Sequence, residues 1–270
     1  MKIFVSTNWL LKNKDISNLV ILDCSWYLPN TNKSGEKSYK NEHIPGSFFF
    51  DIDNISDQNT DLPHMLPSEL IFKKKISKMN IDKKSTIIAY SNPDLLGSAR
   101  VWWMFKYFGH NKIYILNGGL QKWKNENKPL TKKTTLIKKS KFNTNIKKEW
   151  LATYSQIKKN ILVKNKIILD ARNSERFKGL VSEPRKSLRK GNIPNSKNIF
   201  WKELIKLNNT FKSKKEIIKI FKKNNIKNKN IITTCGSGVS ACILSLSLYY
   251  SMDIIAPVYD GSWSEYGRYK

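Results

Sequence analysis

The chain has 270 residues, 40% of them hydrophobic, and sets 49 Lys and Arg against 21 Asp and Glu for a formal charge of +28 at pH 7. That hydrophobic share excludes a disordered polyelectrolyte, and the length is long for one core and comfortable for two of about 130 residues each. The excess cation is mostly Lys scattered with Asn and Ile along the whole chain, as codon bias in an AT-rich genome produces, so weak polyanion attraction is expected but no specific nucleic-acid partner.

Six β-type runs punctuate the chain, at Val20–Leu22, Thr86–Ala89, Ile113–Leu116, Ile167–Leu169, Ile231–Thr233 and Ile254–Tyr259. Helix-like stretches alternate with them, which predicts α/β units around mainly parallel sheets. Cys24 follows the first run and Cys242 falls early in a helical stretch, so both read as core residues. A polar, Lys- and Thr-rich stretch from about Lys124 to Lys148 has no apolar period and reads as a linker. The expected division is a first domain over 1–130, a linker over 131–148 and a second domain over 149–270. In the Lys-rich run Lys212–Lys229, Ile217, Ile218, Ile220 and Phe221 recur at helical spacing, so its lysines read as a solvated face. No N-terminal stretch has a signal-peptide pattern and no window approaches the roughly 20 apolar residues of a membrane span, which predicts a soluble, cytoplasmic protein.

The two halves repeat each other. Leu22-Asp23-Cys24-Ser25 pairs with Leu169-Asp170-Ala171-Arg172, Ile44-Pro45-Gly46-Ser47 with Ile193-Pro194-Asn195-Ser196, and Thr86-Ile87-Ile88-Ala89-Tyr90 with Asn230-Ile231-Ile232-Thr233-Thr234. Ser98-Ala99 then matches Ser240-Ala241, and Asn117-Gly118-Gly119 matches Asp260-Gly261-Ser262, with offsets of 142 to 149 in unbroken order. Duplication explains such collinearity.

Chemistry concentrates at Cys235, which ends the run Ile231-Ile232-Thr233-Thr234 and opens Gly236-Ser237-Gly238-Val239-Ser240-Ala241 before a helical segment. Gly236 and Gly238 let the backbone curl so that successive N–H groups converge, and the helix start adds the positive end of its dipole. A thiol there is expected to ionise below the free-cysteine value of about 8.5. The plainer alternative is a core cysteine, but a Gly-x-Gly flank weakens a strand without packing return. Three cysteines at wide spacing make neither a disulfide framework nor a CxxC metal pair. The equivalent loop of the first half, Ser91-Asn92-Pro93-Asp94-Leu95-Leu96-Gly97, has no thiol, so the first domain is expected to be catalytically inactive and to form one wall of a site between domains.

The loop Cys235 to Ala241, the upstream Glu183-Pro184-Arg185 and the closing Tyr259-Asp260-Gly261-Ser262-Trp263 resemble the tandem rhodanese-type sulfurtransferases. The resemblance covers nearly the whole chain, through Trp26-Tyr27-Leu28-Pro29, His43-Ile44-Pro45-Gly46, Phe49-Phe50-Asp51-Ile52-Asp53 and Asn117-Gly118-Gly119-Leu120-Gln121-Lys122-Trp123. Thiosulfate-preferring members typically place basic residues directly after the cysteine, whereas Gly236-Ser237-Gly238 are uncharged and look like the loop of the members that use 3-mercaptopyruvate.

The resemblance implies two rhodanese-like domains and a ping-pong reaction: Cys235 takes sulfur from 3-mercaptopyruvate as a persulfide, releases pyruvate, and yields the sulfur to a thiol or cyanide. It implies no metal or cofactor, and thioredoxin or a small thiol as acceptor. Amides of Gly236, Gly238, Val239 and Ser240 would stabilise the charged sulfur species. Arg176, in Ser174-Glu175-Arg176-Phe177-Lys178-Gly179, and Arg185 match positions that hold the donor carboxylate, a task suited to bidentate guanidiniums. Ser237, His64 and Asp53 align with a proposed Ser-His-Asp relay, the alternative being an imidazole that only pins the domain interface. Ser240 stands where Thr is more usual and offers a hydroxyl to cap the helix. His43 is expected to order its turn, with Asn192 at the corresponding place, and Tyr90, Trp102 and Trp103 to serve the core or the interface.

A cysteine phosphatase would need Arg at position 241, which is Ala, and no Arg follows Cys235 until Arg268. Two other readings stay open at this point, a thiosulfate:cyanide sulfurtransferase and a noncatalytic persulfide carrier.

Overall fold

The computed structural model describes residues 3–28, 31–137, 139–226 and 230–268. Pro29 of the Trp-Tyr-Leu-Pro run, position 138 of the expected linker and the end of the Lys-rich run at 227–229 lie outside the described residues.

The first half runs β1 (Phe4–Val5), α1 (Thr7–Asn13), β2 (Leu19–Asp23), α2 (Gly35–Asn41), β3 (Ser47–Phe49), α3 (Glu69–Ile76), β4 (Thr86–Tyr90), α4 (Leu96–Tyr107), β5 (Ile113–Leu116) and α5 (Gly119–Asn125). The second runs β6 (Leu151–Ala152), α6 (Tyr154–Val163), β7 (Ile167–Asp170), α7 (Ser174–Lys178), β8 (Ser196–Asn198), α8 (Lys214–Lys223), β9 (Ile231–Thr234), α9 (Ala241–Met252), β10 (Val258–Tyr259) and α10 (Ser262–Tyr266). The sheets have orders β1-β5-β4-β2-β3 and β6-β10-β9-β7-β8, the same topology twice, and every pairing between these strands is parallel. Parallel neighbours require crossovers, and the crossover helices cover both faces, which is why the central strands read as unbroken Ile-rich runs rather than alternating ones.

The expected α/β tandem is present, and five of the six predicted runs lie within strands β2, β4, β5, β7 and β9. The sixth, Ile254–Tyr259, shrinks to Val258–Tyr259. Asp253 adopts a left-handed φ of 56° to end α9, Ile254 N donates back to Leu248 O at 3.3 Å, and Pro257 has no N–H for a ladder. Strands β1, β3, β6 and β8 are two or three residues long, too short for a period. In α8, Ile217 and Phe221 are buried and its lysines are not, with Ser213 and Glu216 forming a capping box at its start.

The stretch 131–148 is not a free spacer. Lys124 and Asn125 still belong to α5, Thr131 bridges to His43, and Phe142 packs edge-on to Phe72 at 5.8 Å and Phe105 at 5.9 Å. Asn145 N and Lys147 N donate to Phe108 O and Tyr107 O at 3.0 and 2.7 Å. One ring, a few backbone bonds and the hydroxyls of Thr135, Ser140 and Thr144 dock this strap on the first domain, and none of them leaves a periodic pattern in the sequence.

The halves share one contiguous apolar cluster. Helix α4, buried on all sides over most of its length, lies against α9. Trp102 sits 5.3 Å from the Trp150 ring and 5.7 Å from Tyr249, and Phe4 sits 4.8 Å from Phe211 and 5.0 Å from Tyr250. Among the described residues no helix is long and apolar enough to cross a membrane. Replacing Trp102 with Ala should cost about 3–5 kcal/mol, a fall of about 10 °C in calorimetric Tm; a change under about 2 °C would show that the two halves do not lean on this ring.

Candidate active site

Strand β9 delivers Cys235 to the carboxyl end of the second sheet, where open α/β folds form their crevices. Its thiol is 1% exposed. The loop is held from beneath by the start of α10. Trp263 N donates to Cys235 O at 3.0 Å, Ser264 N and Oγ donate to Gly236 O at 2.8 and 2.7 Å, and Ser262 Oγ accepts from Cys235 N at 3.2 Å and Gly238 N at 3.1 Å. Ser262 sends its own hydrogen to Tyr259 O at 2.7 Å. Gly238 has φ +78°, and a side chain there would meet Asp260 O at 2.7 Å, so only glycine fits.

This arrangement corrects two sequence expectations. The Gly238 amide is engaged by Ser262 and so does not join the anion-facing donors, whereas the amides of Gly236, Ser237, Val239 and Ser240 have no acceptor among the described residues. Ser240 is already helical, at φ −72° and ψ −19°, and its hydroxyl caps nothing. A side-chain cap needs an extended residue, which this loop does not provide.

The first domain reaches over the loop with His64. Its Nδ1 lies 3.0 Å from Ser237 Oγ and its Nε2 lies 3.1 Å from Asp53 Oδ1, so the three residues aligned by resemblance are in line across the domain boundary. Trp26 Nε1 donates to the same Asp53 oxygen at 3.1 Å, and its ring stands edge-on to His64 at 5.2 Å. Partial burial raises the Asp53 carboxyl, but the hydrogen bond and charge of His64, with the Trp26 N–H, outweigh it and hold the group below its ordinary value. An ionised carboxylate only accepts, so in the neutral ring Nε2 carries the hydrogen and Nδ1 is left to accept from Ser237.

Arg176, on α7, extends across Gly236, whose missing side chain would fall 3.0 Å from Arg176 Nη2. Its guanidinium is paired with Glu183, Nη2 to Oε2 at 2.6 Å. The buried Glu183 also accepts from Arg172 Nη1 at 2.8 Å, and Arg172 grips Asp170 and stacks 4.5 Å from Trp263. Arg185 is half-buried with a guanidinium that has no hydrogen-bond or ion-pair partner among the described residues. Burial and the neighbouring charge of Arg176 push it below the ordinary arginine value, and Cys235 and Glu183 pull it back.

Cys24 and Cys242 are fully buried, and burial pushes both thiols up. His43 stacks 3.9 Å from Tyr39 with its ring nitrogens at Tyr39 O and Lys133 O, and Asn192 Nδ2 donates to Phe177 O at 3.0 Å, so each ties its turn to a neighbouring segment, His43 to α2 and the stretch 131–148 and Asn192 to α7. Tyr90 OH serves Ile44 N and Ser47 Oγ at 3.1 Å each, inside the first domain. A surface hollow of about 550 Å³ beside Tyr154 and Tyr266 contains none of the Cys235 site.

Sequence reasoning missed Ser262, Asp260 and Arg100. The first two lie in the run Tyr259-Asp260-Gly261-Ser262-Trp263, whose spacing gives neither a role. Arg100 carries a signal, a cation inside the apolar run of α4.

A family model for the rhodanese-like domain matches twice, over residues 6–126 and 153–268. The chain is similar to the thiosulfate/3-mercaptopyruvate sulfurtransferase 1, mitochondrial, of Arabidopsis thaliana, at 36% identity over 97% of this chain and 75% of that protein. It is similar to the 3-mercaptopyruvate sulfurtransferase of Mus musculus at 34% identity over 97% of this chain and 91% of that one. Among solved structures, SseA from Escherichia coli, described as a 3-mercaptopyruvate sulfotransferase, superposes with a TM-score of 0.89 at 32% identity, covering 98% of this chain and all of that one.

Ser262→Ala would strand two buried amides at once and should cost about 2–4 kcal/mol, read as a fall of about 5–10 °C in Tm. An unchanged Tm would mean that the loop finds other acceptors.

Proposed function

The chain belongs to the family of rhodanese-like domain proteins, with two such domains in tandem, and from that premise we propose that it is a sulfurtransferase that takes sulfur from 3-mercaptopyruvate onto Cys235, releases pyruvate and passes the sulfur to a thiol or cyanide. The observation that carries the choice of donor is the pair of guanidiniums beside the thiol, Arg176 held by Glu183 and Arg185 held by nothing among the described residues. A keto acid brings a carboxylate, and an unpaired half-buried guanidinium is a ready partner for it.

In the first half-reaction the Cys235 thiolate attacks the donor sulfur. A sulfur–sulfur bond forms, the carbon–sulfur bond breaks, and its electron pair leaves on the pyruvate enolate. As the donor sulfur is taken, its thiol proton passes through Ser237 Oγ to His64 Nδ1 and returns by the same path to the enolate carbon, giving pyruvate, with Asp53 orienting the ring. The free amides of Gly236, Ser237, Val239 and Ser240 offset the charge that then rests on the outer sulfur. In the second half-reaction an acceptor thiolate attacks that outer sulfur and Cys235 leaves as thiolate; cyanide would leave as thiocyanate.

Thiosulfate is the lesser donor on this reading, since residues 236–240 carry no cation to meet a dianion. A noncatalytic carrier would need neither the His64–Ser237 contact nor a free arginine. Thioredoxin or a small thiol as acceptor and a cytoplasmic location belong to the same proposal, and the three free cysteines suit a reducing compartment.

Pyruvate release from 3-mercaptopyruvate should exceed thiosulfate turnover at least 100-fold in kcat/KM, with Cys235 gaining the mass of one sulfur atom when acceptor is withheld. Comparable efficiencies would overturn the donor assignment. Cys235→Ser should abolish both activities. Arg185→Ala should lower kcat/KM for 3-mercaptopyruvate about 100-fold and for thiosulfate less than about tenfold, and equal losses would remove Arg185 from the carboxylate site.

A further inference from the structure

We infer that Arg100 and Asp260 form an inter-domain clamp that positions His64 and the Cys235 loop for sulfur transfer, with Arg100 acting through these groups rather than on the substrate. The inference rests on the sulfurtransferase reading in which His64 and Ser237 serve the departing group.

Arg100 lies in the middle of α4 and is fully buried. A guanidinium there is costly unless its charge and hydrogens are all answered, and an apolar residue would pack the same space at lower cost. What answers its charge and its two Nη groups is the active site, while Nε is buried without an acceptor among the described residues. Nη1 donates to Asp260 Oδ1 at 2.7 Å and to Gly238 O at 3.2 Å, and Nη2 donates to His64 O. The plane of the guanidinium lies 4.5 Å from the Trp103 ring. Asp260 completes the knot by accepting from Leu66 N at 2.7 Å through its other oxygen. One fork from the first domain therefore ties together the turn of the reactive loop, the backbone of the relay histidine and the residue two before Ser262.

The two held peptides both have left-handed backbone, easy for glycine and strained for histidine. Gly238 has φ +78° and His64 has φ +62°, the latter unusual for a side chain of that size. The Gly238 peptide is fixed at both ends, its N–H by Ser262 and its carbonyl by Arg100 and the Cys242 thiol at 3.2 Å. Fixing the His64 carbonyl fixes the direction in which its imidazole leaves the backbone, and so the 3.0 Å approach to Ser237.

The repeat provides an internal control. Asn117, the partner of Asp260 in the duplication, accepts from Phe211 N at 2.8 Å just as Asp260 accepts from Leu66 N. Asn209, like His64, has a left-handed φ of 60° and reaches across to the opposite loop, donating to Pro93 O at 2.7 Å. The partner of Arg100, by the offset of Ser98 to Ser240, is Cys242, too short to clamp anything across the interface. The cation stands only in the half without the thiol, aimed at the loop that carries it.

The test uses Arg100→Lys, which keeps the charge but cannot reach three acceptors with one ammonium, and Asp260→Asn, which keeps the shape and removes the charge. Each should lower kcat for pyruvate release about 100-fold and leave KM within about threefold, as expected for misplacement of a group that acts in the transition state. Added to His64→Asn, Arg100→Lys should cost less than about tenfold more, because the share that acts through His64 is already lost and only the hold on the Cys235 loop remains. The chain has three histidines, so spectra with isotope-labelled histidine resolve His43, His64 and His110. In both variants the His64 ring nitrogens should shift while the other two hold, which also shows that the variant is folded; if Arg100→Lys does not fold, Asp260→Asn decides. Unmoved His64 signals in a folded variant, or losses that multiply with His64→Asn, overturn the clamp. A wild-type protein that makes no pyruvate would instead overturn the sulfurtransferase reading, and the His64 signals would still judge the clamp on its own.

Discussion

The packing of α4 against α9 sets the relation of the two sheets, and the site exists only in that relation. Trp102 is wedged between Trp150 and Tyr249, so the first domain cannot slide over the second without opening a shared core. Apolar burial has no direction of its own, and a smooth interface would leave the docking angle loose. The polar contacts along its edge supply the direction: Asn117 to Phe211, Asp260 to Leu66, and the Arg100 fork between them. A hydrogen bond of 3.0 Å between residues 173 apart in the chain, His64 and Ser237, is the product of both.

Within this nearly symmetric frame the two loops have diverged in how they satisfy themselves. In the first domain Ser91 Oγ turns inward, donating to Asp94 O at 2.5 Å and accepting from Ser98 N at 3.3 Å. In the second, Cys235 leaves its neighbours' amides open, and the support comes from Ser262 instead. Ser262 has a φ of 50° where its repeat partner Gly119 has 57°. The same backbone turn is easy for glycine and strained for serine. The strain is offset by one hydroxyl that holds two buried amides and a carbonyl, and it keeps the loop curled around the thiol.

The arginines illustrate how buried charge is arranged for use. Arg172, sealed between Asp170 and Glu183, is structural, and its presence lets Glu183 hold Arg176 at the loop without neutralising the whole pocket. Arg185 stands outside this ladder with its charge uncommitted. A site so built holds positive charge next to a thiol without any cation in the loop itself.

Much of this was legible in the chain. Ile-rich runs gave the central strands because fully buried parallel strands need no alternation, and collinear repeats implied that one topology occurs twice. Cys235 was readable from its Gly-x-Gly flank, and Ser237, His64, Asp53, Arg176 and Arg185 from resemblance. The short edge strands were not readable, since two or three residues carry no period, nor was the strap over 131–148, which docks by backbone, a few hydroxyls and a single ring. Composition and pattern by themselves determined the two α/β domains and the one loop with a thiol, because these are properties of neighbours in sequence. The tertiary structure alone decided that Gly238 turns its amide to Ser262, that Ser240 caps nothing, and that Arg100 joins His64 to Asp260. Those are contacts between residues far apart in the chain, and their geometry is fixed by how two cores pack, which no local pattern records.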